Sequence, residues 1–393
     1  MNKYVIIGSS AAGVGAAGKL RELDQHSSIT MLTAESVPPY NRCLLADVLS
    51  GKKTAASIGL KAAVSFVDKN IHLQLNSFVE SIDTKNQRVT VAGGQAVPYD
   101  KLLIATGRSG WMPDIPGNHL PGVMIFYGLT DTENILAYIK QHTPKNVAVI
   151  GAGLTGLECA DAIKSYVQQV KIIERAARVL PHQLNSQGSI FFIEHAQKHG
   201  VVTELETTVA AIEGRKKVEQ VHLSTGTVLP ADMVIFAIGG RTNSHLAADA
   251  GIALHDNAID VNNYQQTSCE NVYAAGDVAT VFDQVSGSKI QNGLWPDAVM
   301  QGMVAANNMT GNEKRYAGTV LVTSSTTFGL TFVTAGAIAH PPAGLKLLVK
   351  QTPDFYHAFL TDIEHVLKGF ALIGNVDNIG ALRKKLLDKT PLF

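Results

Sequence analysis

Cysteine is scarce in this 393-residue chain: there are three, Cys43, Cys159 and Cys269, far apart and never in a CxxC or CxxxxC pair. A disulfide framework and a cysteine-rich metal site are both unsupported by that spacing, and no metal ligand set is predicted. An excess of either charge is missing too. Thirty-three Lys and Arg stand against 33 Asp and Glu, so no whole-molecule field draws the protein to nucleic acid or to an anionic membrane. No apolar run approaches the roughly 20 residues that a bilayer-spanning helix needs. The N-terminus enters a strand at Tyr4, Val5, Ile6 and Ile7 without the basic region and apolar core of a signal peptide, so a cytoplasmic location is expected. What the chain has in quantity is apolar residues, 46%, and glycine, 35 residues. That composition predicts a globular α/β protein rich in strand-to-helix turns. The length predicts two to three domains, each able to bury its own core.

The strongest organising feature is an internal echo. A β-branched run, a glycine loop, a helical stretch, a second strand and an acidic residue occur near residues 3–35 and again near 146–174, which predicts two βαβ units. The first reads Tyr4–Ile7, then Gly8-Ser9-Ser10-Ala11-Ala12-Gly13, an Ala-rich helix through about Leu23, and Ile29–Thr33 leading to Glu35. The second reads Val147–Ile150, then Gly151-Ala152-Gly153-Leu154-Thr155-Gly156, a helix through about Tyr166, and Val170–Ile173 leading to Glu174.

Between the units, the alternation Gln87–Val91 and the apolar run Leu102–Ala105 predict a smaller β-layer and a last parallel strand ended by Thr106-Gly107. Pro113, Pro116, Gly117, Pro121 and Gly122 crowd into ten residues, as in a domain linker. Strands are predicted at Gln220–Ser224 and Met233–Ile238, with a glycine stop at Gly239-Gly240. The tail alternates as short strands and ends in a helical stretch holding Arg383, Lys384, Lys385 and Lys389. The predicted fold is therefore α/β: two Rossmann-like dinucleotide-binding domains and a small C-terminal α+β domain. The boundaries are 1–112 with 241–312 for the first domain, 113–240 for the second and 313–393 for the third.

A glycine loop between strand and helix binds a dinucleotide for definable reasons. The first glycine permits the tight turn, the second lets the backbone approach a pyrophosphate, and the third allows close helix–strand packing. Free N–H groups and the positive dipole of the helix N-terminus meet the phosphates. Glu35 and Glu174 are placed to accept hydrogen bonds from a ribose 2′-hydroxyl and would repel a 2′-phosphate, which predicts NADH over NADPH. The second loop carries Gly151, Gly153 and Gly156 in full. In the first, between Gly8 and Gly13, Ser10 stands where the middle glycine is expected, which puts a Cβ near the phosphates.

The order of GSSAAG, the run Tyr99 to Gly107 with Ala105 and Thr106 at its end, GAGLTG, Ala237-Ile238-Gly239 and Tyr273-Ala274-Ala275-Gly276-Asp277 resembles the FAD-dependent pyridine nucleotide–disulfide oxidoreductase superfamily, whose fold is glutathione-reductase-like, from near residue 3 to about 312. The resemblance implies FAD at the first loop and NADH at the second. It implies that Asp277 binds the ribityl chain of FAD and that Glu158 lies near the nicotinamide; a helix N-cap and a solvated glutamate are the plain alternatives. Pro38-Pro39-Tyr40-Asn41-Arg42, with Leu294-Trp295-Pro296 and Gln301-Gly302, is similar to the branch containing rubredoxin reductases, ferredoxin reductases and the N-terminal half of nitrite reductase large subunits. There the basic residue after the tyrosine lies by the isoalloxazine, a role this carries to Arg42 against the alternative of a surface salt bridge.

A second branch, of NADH oxidases, NADH peroxidases and coenzyme A-disulfide reductases, uses one cysteine eight residues before a glycine, and Cys43 with Gly51 matches that spacing. A thiolate there, stabilised by Arg42, could hold a sulfenate or a mixed disulfide. Against this, Leu44 follows the cysteine where that branch usually has glycine, and Ala11 takes the place of its active-site histidine. A small buried residue lining the flavin pocket is the other reading of Cys43. The resemblance implies an electron acceptor such as rubredoxin or a rubredoxin-like domain, and the cluster Arg383–Lys385 could steer an acidic carrier or simply be a solvated helix end. A flavin-bound redox sensor is the non-catalytic alternative. The protein is expected to be a monomer or homodimer.

Overall fold

The computed structural model describes residues 1–60 and 66–393. The chain divides into two compact units. The first comprises Met1–Cys43, Ala55–Ser109 and Arg241–Thr319. The second comprises Leu44–Thr54, Gly110–Gly240 and Val320–Phe393.

The first unit is built on a five-stranded sheet in the order Val272–Ala274, Lys101–Ile104, Lys3–Ile7, Ser28–Leu32, Ile71–Gln74. All four pairings are parallel. The strands are apolar on both faces because both faces are covered, as parallel sheets require. Tyr4, Ile6, Met31, Leu103 and Tyr273 point into one core, with residues of the helices Ala11–Leu23 and Trp295–Met309. Val5, Ile7, Leu32, Leu102, Ile104 and Val272 point into the other, with Val79, Ile82, Val89 and Val91 of a three-stranded antiparallel layer. The central strand Lys3–Ile7 has neighbours wound in opposite directions, so its C-terminal end is a topological switch point, where open α/β sheets bind ligands.

The second unit repeats the plan. Its sheet runs Val201–Glu204, Gln169–Ile173, Asn146–Ile150, Met233–Phe236, Val123–Ile125, all parallel, with the glycine-loop strand again central. A three-stranded antiparallel layer, Val209–Glu213, Gln220–Leu223 and Val228–Pro230, covers one face. The C-terminal residues form an antiparallel five-stranded sheet in the order Val322–Thr327, Leu330–Gly336, Leu367–Ile373, Tyr356–Thr361, Lys346–Gln351, followed by the helix Ile379–Asp388. In this sheet Tyr356 is fully buried and its hydroxyl donates to Asn185 Oδ1 at 2.9 Å, tying the sheet to the N-terminus of the helix Ser186–Lys198. The helix expected to run through Tyr166 ends at Ile163 instead. Lys164 N–H still bonds back to the Ala160 carbonyl, but Tyr166 N–H closes a tighter turn on the Ile163 carbonyl. Among the described residues no helix is long and apolar enough to cross a membrane.

Candidate functional site

Both glycine loops leave the C-terminal end of a central strand and enter a helix. At Gly8 φ is +111°, and a Cβ would lie 2.1 Å from the Ala105 carbonyl oxygen. At Gly13 a Cβ would lie 2.0 Å from the Gly8 carbonyl oxygen. The second loop repeats this pattern: Gly151 has φ +104° with its would-be Cβ 2.7 Å from the Ala237 carbonyl oxygen, and Gly156 would place one 1.9 Å from that of Gly151. Only hydrogen fits at these four positions. The middle position is different in kind. A Cβ on Gly153 would meet nothing within 4 Å, so open space faces the helix N-terminus. Ser10 occupies the matching place with φ −91° and ψ −159°, as extended as Gly153 at −74° and −176°. No left-handed conformation is demanded there, so a serine is accommodated without backbone strain.

The first loop is held by distant residues of its own unit. A Cβ on Gly302 would sit 2.1 Å from the Ala12 carbonyl oxygen, so the helices Ala11–Leu23 and Trp295–Met309 cross in close contact at Ala12. Gly276, at φ +79°, lies against Ala12, and its N–H donates to the buried Gln301 Oε1 at 2.7 Å. Thr106 and Asn243 are tied twice: Thr106 Oγ1 donates to the Asn243 carbonyl at 3.0 Å and Asn243 Nδ2 to the Thr106 carbonyl at 2.9 Å. Gly107, at φ +61°, completes that turn by accepting from Asn243 N–H at 3.0 Å.

Asp277 follows Gly276. Burial pushes its carboxyl above the usual carboxylate range, opposed by the guanidinium groups of Arg108 and Arg42. Arg108 donates through Nη2 to Gln291 Oε1 at 3.2 Å, while its Nε is buried without a partner among the described residues. Arg42 donates through Nη2 to Glu35 Oε1, and its guanidinium stands 5.1 Å from the centre of the Tyr40 ring. Two residues singled out separately in the sequence thus form one ion pair. A cradle open at its mouth, an orphaned buried donor and a half-buried carboxylate are the donor and acceptor set that a phosphate- and polyol-bearing dinucleotide requires.

In the second unit Glu174 is tied to its own glycine loop. Its Oε2 accepts from Ala152 N–H and its Oε1 from Ala176 N–H, both at 2.7 Å, so the carboxylate buttresses the glycine loop. Glu174→Ala is therefore expected to narrow the preference for NADH over NADPH and also to weaken both nucleotides. Each lost charge-assisted bond is worth about 1.5–3 kcal/mol, enough for a roughly tenfold or greater rise in KM. Initial rates with each nucleotide check this, and an unchanged NADH to NADPH ratio would refute the specificity role. Gly239, at φ +85°, has open space around it.

Glu158, on the helix Leu154–Ile163, is half-buried; burial pushes its carboxyl up and Ser325, which donates to Oε1 at 2.7 Å, pulls it down. Cys159 is fully buried, which raises its thiol, and Cys269 packs against an apolar core of the first unit. Cys43 is exposed; its N–H donates to Asn41 Oδ1 at 3.0 Å. The C-terminal basic cluster is largely occupied locally, with Lys384 paired to Asp388 and Lys385 Nζ donating to the Pro391 carbonyl at 2.7 Å. Arg108 and Ser325 make contacts that the sequence did not single out, Arg108 lying just past Thr106-Gly107; Gln301 was noted there only as part of the branch pattern. Among the described residues no group of three or more His, Cys, Asp or Glu is placed to hold a metal.

Two parallel sheets, each with a glycine loop at its central strand and an acidic residue after the next strand, define a protein that binds two dinucleotides. The chain belongs to the pyridine nucleotide-disulphide oxidoreductase family, whose model matches residues 2–302. It is an NAD(P)H oxidoreductase, and the family's cofactors are FAD and NAD(H). It is 34% identical over 320 residues to an NADH oxidase of Methanocaldococcus jannaschii, covering 80% of this chain and 71% of that one. It is 31% identical over 309 residues to a rubredoxin-NAD(+) reductase of Pseudomonas putida, covering 78% and 80%. The solved structure of an NAD-dependent persulfide reductase from A. fulgidus superposes with a TM-score of 0.92 at 27% identity, covering 99% of this chain and 77% of that one.

Proposed function

We propose that the protein takes electrons from NADH through FAD and delivers them to a small electron carrier, a rubredoxin or a rubredoxin-like domain. The observation that carries this reading is the pair of complete dinucleotide cradles in a chain whose three cysteines form no pair: it is equipped to receive hydride and has no dithiol to pass it on. The relative named rubredoxin reductase supports the acceptor class.

In this reading residues 1–112 and 241–312 form the FAD domain, 113–240 the NAD domain and 313–393 a small C-terminal domain. Ser10, Ala12 and Gly13 meet the FAD pyrophosphate at the helix N-terminus, and Gly8, whose own N–H donates to the Leu32 carbonyl, makes the turn that brings them there. Glu35, held by Arg42, accepts the ribose 2′-hydroxyl, and Asp277 binds the ribityl chain. Ala105, Thr106, Gly107 and Gly276 shape the backbone around them. Arg42, expected beside the isoalloxazine, is instead committed to Glu35 at the ribose and carries its positive charge toward the FAD pyrophosphate. Gly151, Gly153 and Gly156 receive the NADH pyrophosphate, Glu174 braces that loop, Gly239 turns the chain beside it and Glu158 meets the nicotinamide. The flavin, when bound, accepts a hydride and can release electrons singly, which suits a one-electron iron carrier. The carrier's docking surface is not assigned to the helix Ile379–Asp388, whose lysines are spent on local partners.

A second reading is favoured by one specific observation, the exposure of Cys43 next to Arg42 in the chain: a single-cysteine NADH oxidase or coenzyme A-disulfide reductase, in line with the relatives named NADH oxidase and persulfide reductase. Cys43→Ser separates the two. Under the carrier reading, NADH oxidation with rubredoxin stays within about twofold of the unaltered protein. Under the thiol reading, turnover with oxygen or coenzyme A disulfide falls by the roughly 10²-fold or more typical of a lost nucleophile. Rapid steady-state turnover with any acceptor would count against a sensor role.

A further inference from the structure

Glu158 is bracketed by two segments far from it in sequence. The short helix Leu45–Leu49 and the strand Val322–Thr327 both pack on the helix Leu154–Ile163. Ser325, 167 residues away, donates its hydroxyl to Glu158 Oε1 at 2.7 Å, and Oε2 has no hydrogen-bond partner among the described residues. We propose that Ser325 is a positioning residue for the pyridine nucleotide: it fixes one oxygen of the Glu158 carboxylate and leaves the other as the acceptor for the N–H₂ of the nicotinamide carboxamide. This rests on the reading of Glu158 as the residue beside the nicotinamide.

The electrostatics explain why a donor is needed at that place. Burial and the negative charge of Asp47, from the helix Leu45–Leu49, both favour the protonated acid; the Ser325 hydroxyl favours the carboxylate. Asp47 is the ionisable residue of its helix, and Lys171 is that of the strands Asn146–Ile150 and Gln169–Ile173 beneath. On the same helix as Glu158, Asp161 pairs with Lys164 a turn further on. The strand Val322–Thr327 brings only hydroxyls and one valine. A protonated Glu158 carries a donor on one oxygen and keeps only a neutral, weaker acceptor on the other, so its contact with the carboxamide N–H₂ is weakened.

The test follows the carboxyl carbon of Glu158 by ¹³C NMR in the holoenzyme, assigned by its disappearance in Glu158→Gln, and NAD⁺ binding by titration across the same pH range. Ser325→Ala is expected to move the Glu158 inflection up by about one pH unit, the size of one charge-assisted hydrogen bond. It is also expected to weaken NAD⁺ roughly tenfold below that inflection, with recovery at alkaline pH; Ser325→Thr, which keeps the hydroxyl, restores both. An inflection that stays in place in Ser325→Ala overturns the proposal, as does a loss of NAD⁺ affinity that is the same at every pH, the mark of a merely structural role. A shifted inflection together with wild-type NAD⁺ affinity in Glu158→Ala, which removes the acceptor, would instead overturn the reading of Glu158 beneath it.

Discussion

Gly8→Ala is expected to yield a protein without flavin. The added Cβ would lie 2.1 Å from the Ala105 carbonyl oxygen in a backbone at φ +111°, so two separate costs combine. A side chain in such a region costs about 1–3 kcal/mol, and overpacking a close-packed contact costs about as much again. For a domain of this size each 1 kcal/mol moves Tm by about 2–4 °C, so the apoprotein should melt roughly 10 °C lower before the loss of FAD-linked stability is counted. The yellow absorbance of the purified protein and its melting curve check this. Gly18→Ala is the matched control, because a Cβ there would meet nothing within 4 Å and the site lies in the helix that follows the loop. That change should retain flavin and add about 0.5–1 kcal/mol of stability. A Gly8→Ala protein with full flavin and an unshifted Tm would show that the loop does not make the close turn on which the FAD assignment depends.

The second large effect is expected from Gly156→Ala, and it should be the mirror image. Its Cβ would meet the Gly151 carbonyl oxygen at 1.9 Å, forcing the helix Leu154–Ile163 away from its loop. Strain of about 1–3 kcal/mol, felt where helix N–H groups meet a pyrophosphate, should lower the rate of flavin reduction by subsaturating NADH by up to about 10²-fold, at 1.4 kcal/mol per tenfold. FAD content should remain near one per chain, because Gly156 belongs to the second unit, and dithionite should still bleach the flavin. Anaerobic stopped-flow reduction by each reductant makes the comparison. Reduction by NADH at the unaltered rate would remove the second loop from the electron entrance.

Much of this was legible in the chain. The β-branched runs before each glycine loop became the central strands Lys3–Ile7 and Asn146–Ile150, and the helix from Ala11 ends at Leu23 as its pattern predicts. Helix ends without a glycine or proline were less legible: nothing local marks the stop at Ile163, which is decided by a tight turn on that residue's carbonyl. Ser10 departs from the glycine pattern without backbone strain, because the middle position of the loop is extended rather than left-handed. Glu35 and Arg42 were both recognised, but not that they pair, since seven residues of irregular chain carry no fixed spacing between them.

The sequence by itself determined the two strand–loop–helix corners, because what they demand is local: a positive φ at the first glycine, and an approach between residues five apart, Gly8 to Gly13 and Gly151 to Gly156, that any side chain would block. Tertiary structure alone decided what surrounds them. Gly302 admits the crossing at Ala12, Gln301 holds Gly276, Arg108 and Arg42 act on Asp277, and Ser325 and Asp47 act on Glu158 in opposite directions. Those contacts join segments as far apart as Ala12 and Gly302. Such meetings are selected by the packing of whole layers, and neither periodicity nor motif spacing encodes them.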